Sequence, residues 1–328
     1  MANPIYNPFK NFNFSNKCCF LSGDKITSPE QEISVFPLWL MNQYQLNDKP
    51  FKLLDESMAT YKSLKLPASI KVIIQFEDLE EEIEKAFTLG YDAVKLLPEI
   101  QLFQWIGKIV YGILFNEIRI GISQQKLAGE QFELSQSLQH KFGNLHLMLQ
   151  SLMMPVVFEG KFPWSIWVFR VNNSTDHFNY RDEINTLTFS LGMKDFGIIA
   201  CLQDNGANTI YHKDILGKID KQPLHPIQFE EICGRFFYSN YLFNRLPEYT
   251  VIETQESVYI ESMPLKGTSN KPLFDNWQNK TYCQVLENFW KPWDFNIFEI
   301  QKDPENPMTF LLETDGVFKL PEAIDLPF

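Results

Sequence analysis

The stretch CCFLSGDKITSPEQEISVFPLWL, residues 18–40, determines how the first half of the chain is interpreted. It opens with two adjacent cysteines and continues through a Gly-Asp pair and a β-branched segment. It ends in a Phe-Pro-x-Trp-Leu step. This order predicts a cysteine knuckle, a short hairpin and then a passage into a helix.

The composition around this stretch is that of a folded, acidic protein. The chain has 328 residues, of which 45% are apolar and 21% charged, which is typical of globular rather than disordered chains. The length suffices for one large domain or two ordinary ones. The formal net charge is −12 and the pI is near 5.0. Such a chain repels a polyanion at long range, which argues against strong nucleic-acid binding.

Cysteine usage and hydropathy indicate a cytoplasmic protein without a membrane span. The five cysteines, an odd number, do not suggest a disulfide framework. The segment MANPIYNPFKNFNF at 1–14 has neither a basic leader nor an apolar core. The most apolar stretch, at 102–115, contains a lysine and is shorter than the ~20 residues that a spanning helix needs.

The pattern before Pro155 is helical. Asp78 can cap a helix that Gly90 closes. Residues 99–118 place apolar side chains at helical spacing on one broad face, and residues 129–153 repeat this pattern. These three helices predict a bundle, which together with the hairpin forms a first domain of residues 1–155.

After Pro155 the pattern becomes that of short strands. Predicted strands and hairpins lie at 164–171, 184–191, 196–203, 249–263 and 295–313, and predicted helices at 226–245 and 278–290. The turn DPENP at 303–307 divides the last hairpin. We therefore expect the α+β fold class overall, with 156–328 as an antiparallel sheet carrying two helices.

The common motifs of phosphate binding and hydrolysis are missing from the sequence. His140 and His146 are six residues apart on one predicted helix, about 240° around its axis, so they cannot share a ligand from that helix. The acidic segment YRDE at 180–183 precedes a predicted strand, where exposed charges are usually solvated. We interpret all of these residues as structural.

Four segments together resemble a branch of bacterial HNH-endonuclease-like proteins. They are EISVFPLWL (32–40), LKLP (64–67), DLEEEIEKAFTLGY (78–91) and LFQWIGKIVYGIL (102–114). The resemblance covers roughly residues 10–155. It implies a ββα-type hairpin with two cysteine knuckles, a Glu-His pair before the Pro-x-Trp-Leu step, an acidic helix and a Trp-containing helix. In such nucleases the histidine is the general base on the attacking water.

The zinc ligands that the resemblance implies are replaced. Cys19, with Cys18 beside it, matches the first knuckle, but Ser22 stands in its partner's place. The second knuckle should fall in ASIKVI at 68–73, which has no cysteine, histidine or asparagine. A structural zinc site needs four thiolate or imidazole ligands. We therefore expect no metal and no cofactor.

The catalytic positions are replaced as well. Ser34 occupies the position of the base, and Ile33 that of the acid. The residues that remain are suited to packing: Phe36, Pro37, Trp39 and Leu40. The first half is thus interpreted as the scaffold of a degenerate HNH module, a pseudoenzyme.

Two functional hypotheses follow. The favoured one is a non-catalytic scaffold that acts as an interaction or regulatory protein for an unknown protein partner, with the α+β half as its working surface. The alternative is an enzyme, either a divergent metal-dependent nuclease or a hydrolase sited in the second half. That enzyme would use His177, Asp182, Glu183 or His212.

Overall fold

The computed structural model describes residues 5–220, 222–267 and 269–326. In chain order the first elements are β1 (Glu32–Ser34), α1 (Leu38–Gln43), β2 (Pro50–Lys52), β3 (Met58–Thr60), β4 (Lys65–Pro67), α2 (Ile70–Leu89), α3 (Tyr91–Val94), α4 (Glu99–Ala128), α5 (Gln136–Leu149) and β5 (Val156–Glu159). They are followed by β6 (Ser165–Arg170), β7 (Phe178–Glu183), β8 (Thr188–Met193), β9 (Phe196–Cys201), α6 (Ala207–Tyr211), α7 (Lys213–Ile219), α8 (Pro226–Leu242), β10 (Tyr249–Glu253), β11 (Val258–Ser262), α9 (Asn279–Trp290) and α10 (Ile297–Ile300). Short 3₁₀ helices lie at Pro8–Lys10, Tyr61–Ser63, Gln150–Leu152, Lys291–Trp293 and Pro321–Ala323. The predicted α+β class is confirmed.

The chain forms two compact units. The first unit is Met1–Thr88, Leu97–Gly160 and Glu248–Ser262, and the second is Leu89–Leu96, Lys161–Pro247 and Met263–Phe328. The segment 248–262 belongs with the first unit because β11 pairs in parallel with β5. The β10–β11 hairpin therefore belongs to the first unit, because β11 pairs with a strand about a hundred residues earlier in the sequence. A single domain boundary at Pro155, as the sequence predicted, places this hairpin with the second half.

The first unit is built around α2 and α4. The helix predicted from Asp78 begins earlier, at Ile70, since further apolar residues continue its buried stripe. Its buried members are Val72, Phe76, Leu79, Ile83, Ala86 and Phe87. Gly90 follows the end of the helix with φ +89, as its predicted closing role requires.

Helix α4 is buried on every side between Leu102 and Asn116, which explains why its sequence there is mostly apolar. It continues ten residues beyond the predicted end at 118 and stops at Gly129, which has φ +76. Helix α5 begins only after the cap at Ser135, whose Oγ accepts a hydrogen bond from the backbone N–H of Leu138. The prediction of a helix from residue 129 was therefore wrong, because the glycine ends one helix and the serine starts the next.

The second unit contains a four-stranded antiparallel sheet in the order β6-β9-β8-β7. Helix α8 packs on this sheet, and the ring of Phe229 lies directly over Gly197 of β9. A Cβ at Gly197 would lie 2.3 Å from that ring, so only glycine allows the contact. The interior of this unit is apolar and continuous from β9 through α8 to α9.

Two predictions in this half need correction. YRDE at 180–183 is part of β7, an edge strand, and not a loop before a strand. The hairpin predicted at 295–313 is absent from the described chain there, and α10 begins instead. Asn296 and Glu299 form a capping box, which favours a helix over an extended strand. The hairpin predicted at 249–263 is confirmed as β10 and β11.

Candidate functional site

Ser34 stands where an HNH nuclease would have its general base, and its hydroxyl lies beside the amine of Lys65. Ser34 ends β1 and is buried, and its Oγ accepts a hydrogen bond of 2.9 Å from Nζ of Lys65 on β4. Ile33 is half-buried and lies opposite Leu66 in the β1–β4 ladder. A serine that accepts from an ammonium group is poorly placed to remove a proton from water, because its oxygen already accepts a hydrogen bond and the neighbouring positive charge disfavours its protonation.

The cysteine pair is held by local hydrogen bonds. Cys19 is buried, and Cys18 is half-buried with its Sγ accepting from Asn13 Nδ2 at 3.3 Å. The hydroxyl of Ser22 donates to Asp24 Oδ2 at 2.7 Å. Within 5–220, 222–267 and 269–326, no three His, Cys, Asp or Glu side chains are grouped so that they could hold a metal ion.

The Phe-Pro-x-Trp-Leu step makes apolar contacts. Phe36 and Leu40 are fully buried, and the ring of Phe36 lies 4.7 Å from that of Tyr61. Trp39 is only half-buried, and it packs edge-on against Phe87 of α2 at a centroid distance of 5.8 Å. The step therefore joins β1 and α1 to the core of the first unit by aromatic packing.

The four residues of the enzymatic alternative do not form one cluster. His177 is half-buried before β7, and burial lowers its pKa. Asp182 and Glu183 are neighbours on β7 and therefore point to opposite faces of the sheet. His212 is buried between α6 and α7, where its Nε2 lies 2.8 Å from Ser239 Oγ of α8.

His212 belongs to a chain of buried polar side chains in the second unit. Ser239 Oγ donates to Asn208 Oδ1 at 2.6 Å, and Asn208 Nδ2 donates to Asn240 Oδ1 at 3.1 Å. Asn240 Nδ2 in turn donates to Thr188 Oγ1 of β8 at 2.6 Å. These bonds tie α6 to α8 and α8 to the sheet.

Asp204 joins this network of polar groups at Asn208. Its carboxylate accepts from Ser165 Oγ at 2.8 Å and from the backbone N–H groups of Gly206 and Asn208. Burial raises the pKa of Asp204 to about 6, although the donated hydrogen bonds oppose that shift. Burial likewise lowers the pKa of His212 to about 3, so the ring is neutral.

The Ser239–His212 contact has the distance of a nucleophile and its base, yet solvent does not reach it. Ser239 is 0% exposed and His212 5%. The single hydroxyl proton of Ser239 also faces Asn208 Oδ1 and the carbonyl of Phe236, at 2.6 and 3.1 Å. An arrangement that is closed to substrate, and whose hydroxyl proton is donated to Asn208 Oδ1, can hold helices together, but it offers no open position for a reacting carbonyl.

An accessible concave surface of the second unit lies between α8, α9 and the β7–β8 turn. This α8–α9 groove has a volume of about 470 Å³, within the range of small-molecule sites. Glu183, one of the predicted residues, lies at it together with Asn185 and Thr186 of the turn. Tyr241 of α8 and Asn288 of α9 complete its polar side.

Aromatic side chains form the rest of the groove. Phe237 and Phe289 meet edge-to-face with their centroids 5.3 Å apart. The guanidinium of Arg181 lies 4.6 Å from the centre of the Phe289 ring, and its Nε is 3.3 Å from Glu230 Oε2. Burial raises the pKa of Glu230 to about 7, against the lowering effect of Arg181.

A second cleft, of about 530 Å³, lies in the first unit. Phe12, Ile122 and Phe132 contribute its apolar surface. The ring of Phe132 rests on Gly121 of α4, where an added Cβ would be 2.6 Å away. Loop residues and glutamines also line this cleft. The cleft has fewer aromatic rings than the groove of the second unit.

Comparison with known proteins found no matching family model, no matching curated protein and no matching solved structure. The function must therefore be argued from the geometry of this chain. The sequence interpretation missed the groove, although a signal was present. Within the two predicted helices, Phe237 and Tyr241 are four residues apart, as are Val285 and Phe289.

Proposed function

We propose that this protein is a non-catalytic scaffold, nuclease-derived in its first half, which acts as an interaction protein through the α8–α9 groove. One observation carries the proposal. The accessible concave surface presents aromatic rings, amides and a single carboxylate, which suit recognition, while the Ser239–His212 pair lies inside the protein. The expected partner is a protein or a small molecule, and not a nucleic acid.

The first unit supports the non-catalytic part of this proposal. A working HNH site needs a general base, a metal ion and a cationic surface for the phosphates. Here the base position is Ser34, which accepts a hydrogen bond from Lys65. The thiol of Cys18 accepts a hydrogen bond from Asn13, Cys19 is buried, and the whole chain has a net charge of −12. The HNH origin itself rests on the sequence resemblance.

A hydrolase in the second half is the alternative, and the 2.8 Å contact between His212 and Ser239 favours it. For this enzyme to work, α6 or α8 would have to move and expose the serine. Glu183 and Asp182 would then lie on opposite faces of β7, so they could not act as a pair.

A fluorophosphonate probe tests the choice between these functions, because it labels serines that a neighbouring base activates. We expect no labelling of the native protein and none of the Ser239→Ala variant, beside a serine hydrolase as positive control. We also expect no cleavage of single- or double-stranded DNA with magnesium, manganese or zinc. Labelling that disappears in Ser239→Ala and His212→Ala would show an active hydrolase. Metal-dependent cleavage that a single substitution between 18 and 40 abolishes would show a nuclease.

A further inference from the structure

Four aromatic side chains surround the α8–α9 groove at different depths. Tyr238 and Phe289 are buried, Phe237 is half-buried, and Tyr241 is 73% exposed. The rings of Tyr238 and Tyr241 are nearly parallel, with an interplanar angle of 14° and centroids 6.5 Å apart. Phe237 and Phe289 meet at 69°. Rings in these two orientations present both faces and edges to the groove, and a ring face carries the negative end of the aromatic quadrupole.

The charge at the groove is negative. Of the described side chains that line it, Glu183 is acidic and none is a lysine, arginine or histidine. The carboxylate Oε1 of Glu183 accepts a hydrogen bond of 3.2 Å from the backbone N–H of Asn185, which orients it at the start of the turn. Among the described residues, no lysine or arginine forms an ion pair with Glu183.

The aromatic cluster already holds two cations of the protein itself. Arg181 lies over Phe289, and Arg235 lies over Tyr282 with its guanidinium carbon 5.4 Å from the ring centre. Each guanidinium is paired with a buried carboxylate, Arg181 with Glu230 and Arg235 with Glu231. Both guanidinium groups are thus engaged by carboxyl groups of α8, and Glu183 is the charged side chain that lines the groove itself.

From these three observations, and resting on the proposed function, we infer that the α8–α9 groove binds an organic cation. The ligand group is an alkylated ammonium or a guanidinium, which would lie against the exposed face of Tyr241 with Glu183 as its counter-charge. The volume of about 470 Å³ admits such a head group together with a few further atoms. The overall charge of −12 would draw a cationic ligand toward the protein.

This ligand chemistry has two sources, a small molecule and a basic side chain of a polypeptide. Choline represents the first, with 3,3-dimethylbutan-1-ol as its uncharged isostere. The blocked tripeptide acetyl-Gly-Arg-Gly-amide represents the second, with acetyl-Gly-Gln-Gly-amide as its neutral counterpart. Inorganic phosphate serves as the anionic probe. Binding is measured by calorimetric titration and by NMR shifts of the tyrosine rings in the full chain.

We expect choline or the arginine peptide to bind at least roughly 5-fold more tightly than its neutral counterpart, the range that a cation–π contact supports. Tyr241→Phe should retain this binding, because it keeps the ring. Tyr241→Ala and Glu183→Gln should each weaken it roughly 3- to 10-fold. Both residues are exposed, so the variants should fold, and their melting curves check this.

Matched controls are present in the same unit. Phe298 is 86% exposed and lies outside the groove, and Glu313 is an exposed acid away from it. Phe298→Ala and Glu313→Gln should leave the affinity unchanged. If only choline binds, the ligand of the groove is a small-molecule cation. If only the arginine peptide binds, the ligand is a basic side chain of a polypeptide.

Three outcomes would overturn the inference. They are equal binding of each of the two cations and its neutral counterpart, tighter binding of phosphate than of any cation, and no binding of any probe. None of these outcomes would indicate that the protein is an enzyme, because the proposed function is tested separately by fluorophosphonate labelling and DNA cleavage. Conversely, labelling of Ser239 would refute the non-catalytic function even if choline bound at the groove.

Discussion

The two units differ in the charged groups that they bury. In the described part of the first unit, Lys108 of α4 is buried at 1% exposure, and its Nζ donates to a carboxylate oxygen of Glu80 on α2. The described part of the second unit buries three carboxylates, Asp204, Glu230 and Glu231. Asp204 and Glu231 each accept several hydrogen bonds from side chains or backbone N–H groups, and Glu230 accepts one from Asn179 and forms an ion pair with Arg181. The stability of a single ion pair between two helices depends on one partner, whereas a hydrogen-bond network distributes the cost of desolvating a charge over many donors.

The largest effect is expected from breaking the pair in the first unit. Glu80→Ala leaves the Lys108 ammonium buried without its carboxylate and should cost about 3 kcal/mol of unfolding free energy. Lys108→Met removes the buried charge and keeps the volume, and the Glu80 carboxylate, which is 20% exposed, can still be hydrated, so this variant should change stability by less than about 1 kcal/mol. Urea titrations measure both. Equal losses in the two variants would mean that the aliphatic chain of Lys108, and not its charge, determines stability.

The pH dependence of the second unit should include contributions of opposite sign from Glu230 and His212. Glu230 has a pKa of about 7 in the folded chain, above its ordinary 4.5, so its contribution is complete below pH 4.5 and is lost as pH rises through 7. His212, with a pKa of about 3 in place of 6.5, contributes fully above pH 6.5 and loses stability as pH falls below that value. The two groups therefore oppose each other between pH 7 and pH 5.

The Glu230→Gln variant should reveal how His212 lowers the unfolding free energy as pH falls. Relative to the native protein, the variant should lose about 2 kcal/mol more when pH is lowered from 7 to 5, because the acid no longer offsets the protonation of unfolded histidine. Urea titrations at both pH values measure the difference. Identical pH slopes in the two proteins would mean that Glu230 does not change its protonation on unfolding in this range.

A moderate effect is expected at Trp39. The sequence interpretation assigned it to packing, and truncation of a fully buried large aromatic side chain costs ~3–5 kcal/mol. Because the structure leaves it half-buried against Phe87, we expect Trp39→Ala to cost about 2 kcal/mol. Trp105→Ala, a fully buried indole on α4, is the matched comparison and should cost more. A larger loss at Trp39 than at Trp105 would contradict this assignment.

The smallest effect is expected from a chelator. If apolar packing around Phe36 and α4 holds the first unit together, EDTA should leave the melting temperature of the protein unchanged. Thermal denaturation with and without EDTA measures this. A fall of several degrees would mean that Cys18 or Cys19 binds a metal, and the interpretation of the knuckle as degenerate would have to be abandoned.

Much of the fold could be predicted from local signals. The apolar spacing of 99–118 predicted the core helix α4, and β-branched residues on both sides of a polar turn predicted the β10–β11 hairpin. The turn at 303–307 was also predicted, and Asp303 accepts from the backbone N–H of Glu305 as expected. These features depend on residues close together in sequence, so the pattern contains the information that forms them.

The candidate site could be predicted only in part. Glu183 was named beforehand, but as one of four residues for catalysis, and the aromatic residues of α8 and α9 that line the groove were not named. Both helices were predicted with nearly correct bounds. Their crossing, and the position of the β7–β8 turn beside them, depend on packing between distant segments, which a single sequence does not reveal.

By itself, therefore, the sequence determined the α+β class and the main helices, because spacing and residue type are local properties. Tertiary structure alone decided three further features. It placed β11 beside β5 in parallel, it put Glu80 against Lys108, and it brought Glu183 next to Tyr241 and Phe289. Each joins residues that are distant in sequence, and such contacts form only when burial of a common apolar core compensates the entropy of closing the intervening chain.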